Sequence, residues 1–348
     1  MNPLIFALLL FALGLGTTIT FASSHWLLAW MGLEVNTLAI LPLMAQSHHP
    51  RAVEATTKYF LAQSAAAATL LFASMTNAWL TGQWNICLMT DPVPLTMVIM
   101  ALSLKIGLAP LHTWLPEVLQ GLDLTTGLVL STWQKLAPFA LLVQIPAQNQ
   151  AVLVALGLAS TLVGGWGGLN QTQLRKILAY SSIAHLGWMI IILQFAPGLT
   201  FLTLLIYITM TFTAFLTLKL NESTTINSLT VSWTKSPMMT SIFPMIMLSL
   251  GGLPPLTGFL PKWLILQELT KQNLALTATL AALTALLSLY FYLRLSYAMT
   301  LTVSPNNLTG TPPWRFSLPH PKTPLATPTL LSAMMLPMAP ALTVILGF

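Results

Sequence analysis

Gly107-Leu-Ala-Pro-Leu-His-Thr-Trp-Leu-Pro116 and Gly252-Leu-Pro-Pro-Leu-Thr-Gly-Phe-Leu-Pro261 are two versions of one phrase, set 145 residues apart. Six of the ten positions are identical, and Trp114 corresponds to Phe259 as a second aromatic. Each phrase interrupts a long apolar stretch with glycine and proline. Glycine admits left-handed backbone, while proline removes an N–H and crowds the carbonyl four residues back, so helices are expected to break near 107–110 and 252–255. A simple kink is the plainer alternative, because membrane helices tolerate proline.

On either side of these phrases the chain is nearly free of charge. Lys, Arg, Asp and Glu make up 20 of 348 residues, or 6%, against about a quarter in soluble domains. Apolar residues make up 55%, and the mean hydropathy is +0.79. This character is spread over the whole length, which excludes a soluble domain with a hydrophobic tail. A bilayer crossing takes about 20 mostly apolar residues folded as a helix. Eleven stretches qualify: 3–22, 25–45, 56–80, 93–112, 124–146, 150–169, 176–195, 198–220, 238–269, 273–301 and 325–347. The fold class is therefore an all-α polytopic membrane protein.

The first 33 residues carry no charged side chain. With no basic region before Leu4, no small-residue cleavage site and no Arg- and Ser-rich leader, the first run reads as a helix, and insertion is expected where the chain is made. One cysteine, Cys87, cannot form an internal disulfide or supply the four thiolates of a common iron–sulfur cluster. The net charge of +6 comes from scattered basic residues, so it reflects membrane topology and not nucleic-acid binding.

Basic residues fall on alternate connections: Arg51 and Lys58, Arg175 and Lys176, Lys219 and Lys235, Arg315 and Lys322. The opposite face has only Lys271, with Asp91 as its clearest acid. Eight against one places the N-terminus on the side of synthesis and, with an odd number of passes, the C-terminus on the other. An offset of 145 residues holds five helices, so the second copy enters from the opposite side, an inverted repeat of the kind that builds transporters. The expected organisation is a first five-helix unit at 1–147, a second at 148–302, a Pro-rich loop at 303–324 and a C-terminal transmembrane helix at 325–348.

Four charges sit where charge is costly. Glu34, Lys105 and Lys135 fall near the middle of their spans, and Lys262 follows the second break. Each costs roughly 2.5–3.5 kcal/mol on insertion scales, which makes function the default reading. Structural pairing with snorkelling lysine stems is the competing one, yet three lysines share one central acid. Moving a carboxylate toward or away from a lysine switches it between holding and releasing a proton, the chemistry of a relay. His112 and His185 are candidate extensions, although a single satisfied hydrogen bond explains each equally well.

Other features carry less. His48-His49 reads as a loop pair, with no third ligand nearby for a metal. Arg294 lies toward a helix end, where snorkelling suffices, and Glu117 is expected at the surface. Three glycosylation patterns, at Asn170, Asn221 and Asn307, fall on the basic inner face. Gly164-Gly-Trp-Gly-Gly168 lacks the strand and spacing of a dinucleotide loop and reads as close helix packing.

His25-Trp-Leu-Leu-Ala-Trp-Met-Gly-Leu-Glu34, Ser131-Thr-Trp-Gln-Lys-Leu-Ala-Pro138 and Gly251-Gly-Leu-Pro-Pro-Leu-Thr-Gly-Phe-Leu-Pro-Lys-Trp263 carry a resemblance that extends over essentially the whole chain. The chain resembles the mitochondrially encoded, vertebrate-type subunit 2 family of NADH–ubiquinone oxidoreductase, respiratory complex I, among the antiporter-like subunits. The resemblance implies a subunit of the proton-pumping membrane arm in the mitochondrial inner membrane, with the N-terminus on the matrix side and the C-terminus on the intermembrane side. Its partners would be other membrane-arm subunits, inner-membrane lipids and protons. It implies no cofactor in this chain: NADH, FMN, iron–sulfur clusters and ubiquinone would belong to partner subunits.

In that family a glutamate pairs with a lysine on a broken helix, positions matched by Glu34 and Lys105. Further lysines match Lys135 and Lys262. The wider family has fourteen helices against about eleven here, and the second unit has no acid resembling Glu34. Proton translocation, with Lys105 exchanging with one side, Lys135 in the middle and Lys262 at the far side, is the leading expectation. A structural adaptor for membrane-arm assembly and a stand-alone cation/proton antiporter are the alternatives.

Overall fold

The computed structural model describes residues 2–46, 48–146, 150–234, 237–302 and 323–345. The helices are α1 Pro3–Ala22, α2 Trp26–Met44, α3 Pro50–Thr81, α4 Pro92–Ile106, α5 Trp114–Gly121, α6 Leu124–Gln144, α7 Gln150–Gly168 and α8 Leu174–Ile192. They continue with α9 Pro197–Leu220, α10 Ile226–Val231, α11 Pro237–Gly251, α12 Phe259–Lys271, α13 Ala275–Thr300, α14 Thr323–Met334 and α15 Ala339–Ile345. Among the described residues there is no β-strand, only the isolated bridges His25–Asn85 and Gln173–Thr225. Six helices, α1, α2, α3, α7, α9 and α13, are each long and apolar enough to cross a membrane unaided.

Both predicted breaks are present, and they have the same backbone form. α4 ends where Gly107 turns to φ +86°, and the N–H groups of Gly107 and Leu108 both donate to the Ser103 carbonyl at 2.9 Å. α11 ends where Gly252 turns to φ +78°, with Gly252 N–H donating to Ser249 O at 2.9 Å and Leu253 N–H to Leu248 O at 3.3 Å. These bonds satisfy carbonyls that an ended helix leaves open. Each turn also contains a cis peptide, Ala109–Pro110 and Pro254–Pro255. Past the turns the chain resumes as α5 and α12.

Two compact units make up the chain, Met1–Ala159 and Ser160–Phe348, the division falling inside α7. In the first, α1 and α2 cross where a Cβ on Gly16 would come within 2.9 Å of Gly32 O and Asn36 N. Such contact needs small residues. In the second, the glycine run does what its composition suggests: a Cβ on Gly164 would meet Ala184 N at 2.6 Å, and one on Gly168 would meet the Phe291 ring at 2.8 Å.

Several expected boundaries shift outward. α3 begins at residue 50, not 56, because the His49 ring accepts the Arg51 N–H at 3.2 Å and Pro50 occupies the first turn. His49 is thus a helix cap. Arg51, Arg175 and Lys271, expected in connections, lie in terminal helical turns. The expected last helix is interrupted at Leu336–Met338, where Pro337 has no N–H to continue the ladder. Lys235, Arg315, Lys322, Asn307 and most of the Pro-rich loop lie outside the described residues.

Candidate functional site

In the first unit three helices bring three of the singled-out charges together. α2 supplies Glu34, the last turn of α4 supplies Lys105, and α6 supplies Lys135. Lys105 Nζ lies 3.6 Å from Glu34 Oε1, with the lysine side chain 2% exposed and the glutamate 24%. Thr37 Oγ1 donates to the Glu34 carbonyl at 2.9 Å and lies 3.4 Å from Glu34 Oε2. Lys105 and Lys135 line one cavity of about 10 Å³, which admits on the order of one water.

The same cavity exposes polar groups that carry no charge. Gln134 Nε2 donates to Asn36 Oδ1 at 3.1 Å and to Asn36 O at 3.3 Å, while Tyr59 Oη donates to Gln134 Oε1 at 3.5 Å. Gln63 Nε2 donates to the Lys105 carbonyl at 3.3 Å, and Trp114 Nε1 to the Leu104 carbonyl at 3.0 Å. Two side chains therefore hold the open end of α4 beside the break. Tyr59 also packs edge-on against Trp114, ring centres 5.7 Å apart. Sequence reading missed this layer, because hydropathy singles out charges and passes over amides and hydroxyls.

In the second unit the site is built around Lys262, in the first turn of α12. Its ammonium donates to the Gly251 carbonyl at 2.7 Å, at the C-terminal end of α11. Cations are favoured there, because the helix dipole places about half a negative charge at its C-terminus. Lys262 and His185 line one cavity of about 20 Å³ with Tyr207. His185 Nδ1 is 2.8 Å from the Ser181 carbonyl, and its ring centre is 5.7 Å from that of Tyr207.

His112 is half-buried in the first break turn and does not line the Lys105–Lys135 cavity. Glu117 is exposed as expected, paired with Lys58 at 2.8 Å, and Lys58 also meets Glu54 at 2.8 Å. Arg294 does more than snorkel: its two terminal nitrogens donate at 2.5 Å to Leu169 O and Gln171 O, just past the end of α7. Asn221 is 2% exposed and holds no accessible glycan acceptor.

Two family descriptions match in succession: NADH:quinone oxidoreductase/Mrp antiporter, transmembrane region, over residues 23–288, and NADH dehydrogenase subunit 2 C-terminus, over 289–343. NADH-ubiquinone oxidoreductase chain 2 of Tetraodon nigroviridis is 72% identical over 342 residues, covering 98% of both chains. A chain of respiratory complex I from Thermus thermophilus superposes with a TM-score of 0.84 at 30% identity, over 99% of this chain and 79% of that one. A chain of an Mrp complex from a Dietzia species shares the fold, with a TM-score of 0.79 at 16% identity over 97% and 75%.

Proposed function

The chain belongs to the NADH:quinone oxidoreductase/Mrp antiporter family of membrane subunits, and we propose that it moves protons within respiratory complex I through Glu34, Lys105 and Lys135 in its first unit and Lys262 in its second. As a chain-2-type subunit it is part of an H+-translocating NADH:ubiquinone oxidoreductase. Electron transfer from NADH to ubiquinone, through FMN and iron–sulfur clusters, takes place in other subunits. The setting is the mitochondrial inner membrane, crossed many times, with the N-terminus in the matrix and the C-terminus in the intermembrane space.

The observation that carries this reading is the Glu34–Lys105 pair at 3.6 Å, beside a cavity that Lys135 also lines. A charged lysine has three donors and no acceptor, so it passes a proton only by giving one up and becoming neutral. A nearby carboxylate favours the ammonium, and its withdrawal favours release. Glu34 therefore sets when Lys105 holds its proton, and Lys135 is the next group across a space of one water. Lys262 serves the second unit, with His185 on the same cavity able to take and return a proton near neutral pH.

The test uses the assembled complex in liposomes, with NADH oxidation and proton uptake recorded together. Glu34→Gln and Lys105→Met are each expected to lower protons moved per NADH while the complex remains assembled. Undiminished pumping by an assembled double variant overturns the relay. If every charge variant pumps normally and only loss of the chain prevents assembly, the adaptor reading holds instead.

A further inference from the structure

The second break turn is held from outside the two helices that flank it. Thr257 Oγ1 donates to the Ser332 carbonyl of α14, 75 residues away, and both residues are 1% exposed. Serine and threonine hydroxyls in helices commonly bond a carbonyl three or four residues back, as Ser249 does to Ile246 and Thr213 to Met210, each at 2.7 Å. Thr257 lies in the turn between α11 and α12, outside either helix, and its donor reaches a third one. The acceptor is open because α14 ends at Met334, ahead of Pro337. The carbonyls of its last turn, Ser332 among them, are left without a helical N–H.

The neighbouring residue seats the same turn on the end of α11. A Cβ on Gly258 would overlap the Ser249 carbonyl and come within 2.8 Å of Met210 Cε of α9. By the 145-residue offset, Thr257-Gly258 stand where the first phrase has His112-Thr113. Two of the four positions at which the phrases differ are thus the residues that tie the second turn down. α14 itself packs against α9 and α11. Gly258 precedes the first residue of α12 and lines the cavity that Lys262 and His185 share. Lys262 follows it by about one helical turn, and its ammonium closes the loop by bonding Gly251 O at 2.7 Å.

We propose that α14 is a strap across the second break, and that Thr257 is a positioning residue that keeps Lys262 against the C-terminal end of α11. A working group must be held within about 0.5 Å of its productive place by neighbours that are themselves locked. Without the Thr257 hydroxyl the Ser332 carbonyl is buried with no donor, the turn loses its tie to α14, and the start of α12 is free to carry the ammonium away from the Gly251 carbonyl. The positioning role rests on the reading of Lys262 as a proton carrier, whereas the strap itself is read without turnover.

Thr257→Val removes the hydroxyl and keeps the branched shape, while Thr257→Ser keeps the hydroxyl. Both are compared with Lys262→Met in the assembled complex, by amide hydrogen exchange and by protons moved per NADH in liposomes. Thr257→Val is expected to speed exchange at least tenfold at the hydrogen-bonded amides of Leu256, Phe259 and Leu260 and in the last turn of α14, and to lower protons per NADH at least twofold. Thr257→Ser should restore both. Unaltered exchange in Thr257→Val overturns the strap, and a serine variant as impaired as the valine one overturns the role of the hydroxyl. Faster exchange with full pumping, while Lys262→Met loses pumping, overturns the positioning role alone. Full pumping by assembled Lys262→Met is instead a failure of the proton reading at Lys262, and the positioning role falls with it. If Thr257→Val does not assemble, the unaltered complex decides: the turn and the last turn of α14 should open to exchange together, and separate opening overturns the strap.

Discussion

Lys105 Nζ and Glu34 Oε1 stand 3.6 Å apart, within reach of ion pairing and beyond a direct hydrogen bond, and both atoms are buried without a hydrogen-bond partner among the described residues. Removing one member of a buried pair costs about 3–5 kcal/mol, because the other charge is left uncompensated, whereas replacing both with apolar groups is often neutral. Glu34→Gln should therefore lower the thermal stability of the complex more than the double variant Glu34→Leu/Lys105→Leu. Both should lose pumping. A double variant no more stable than the single one means that the two charges are not coupled.

Gln134 joins α6, which carries Lys135, to α2, which carries Glu34, and it also receives Tyr59 from α3. Leucine in its place would orphan buried polar groups, each costing about 1–3 kcal/mol. Gln134→Leu is expected to speed amide hydrogen exchange in α2 around Asn36 and leave α1 unchanged at its N-terminus. Unaltered exchange at Asn36 rules out this brace.

Gly252 faces Lys262 directly: a Cβ there would meet Lys262 Cδ and Nζ at 2.9 Å, on a backbone held at φ +78°. Left-handed backbone costs a non-glycine residue about 1–2 kcal/mol. Gly252→Ala should displace the ammonium from the Gly251 carbonyl and reduce pumping several-fold in assembled complex. Gly107→Ala meets Leu115 instead, at 2.8 Å, so it should disturb assembly without moving a charge. Equal pumping losses in the two variants, at equal assembly, argue against a special role for Lys262.

The Lys58–Glu117 pair is a counter-case. Its side chains are 43% and 55% exposed, and such surface pairs contribute little, because water and salt screen them. Glu117→Gln should leave pumping and thermal stability within error at physiological salt. A clear loss of either gives this pair a role that its exposure does not suggest.

Glycine and proline made the two breaks legible, since few other residues end a helix inside apolar sequence, and the cost of burying charge made the four central residues legible. Arg294 was discounted because sequence shows its depth in a helix but not the Leu169 and Gln171 carbonyls 125 and 123 residues away. The Tyr59–Gln134–Asn36 brace was hidden for the same reason, its partners being 75 and 98 residues apart. His49 was read as half of a loop pair because a histidine cap has no hydropathy signature. Contacts between distant uncharged polar groups leave no periodic trace in a sequence.

The bond from Lys262 to the Gly251 carbonyl gives the second unit a different kind of counter-charge from the first. A carboxylate can be discharged by a single proton, so the field that Glu34 casts on Lys105 can be switched off. The negative end of α11 is made of aligned peptide dipoles, which no proton in the physiological range neutralises. One lysine answers to a partner with two charge states, the other to a constant bias built from main chain. Two sites with alike backbone turns are thereby left with unequal counter-charges, one conditional and the other permanent.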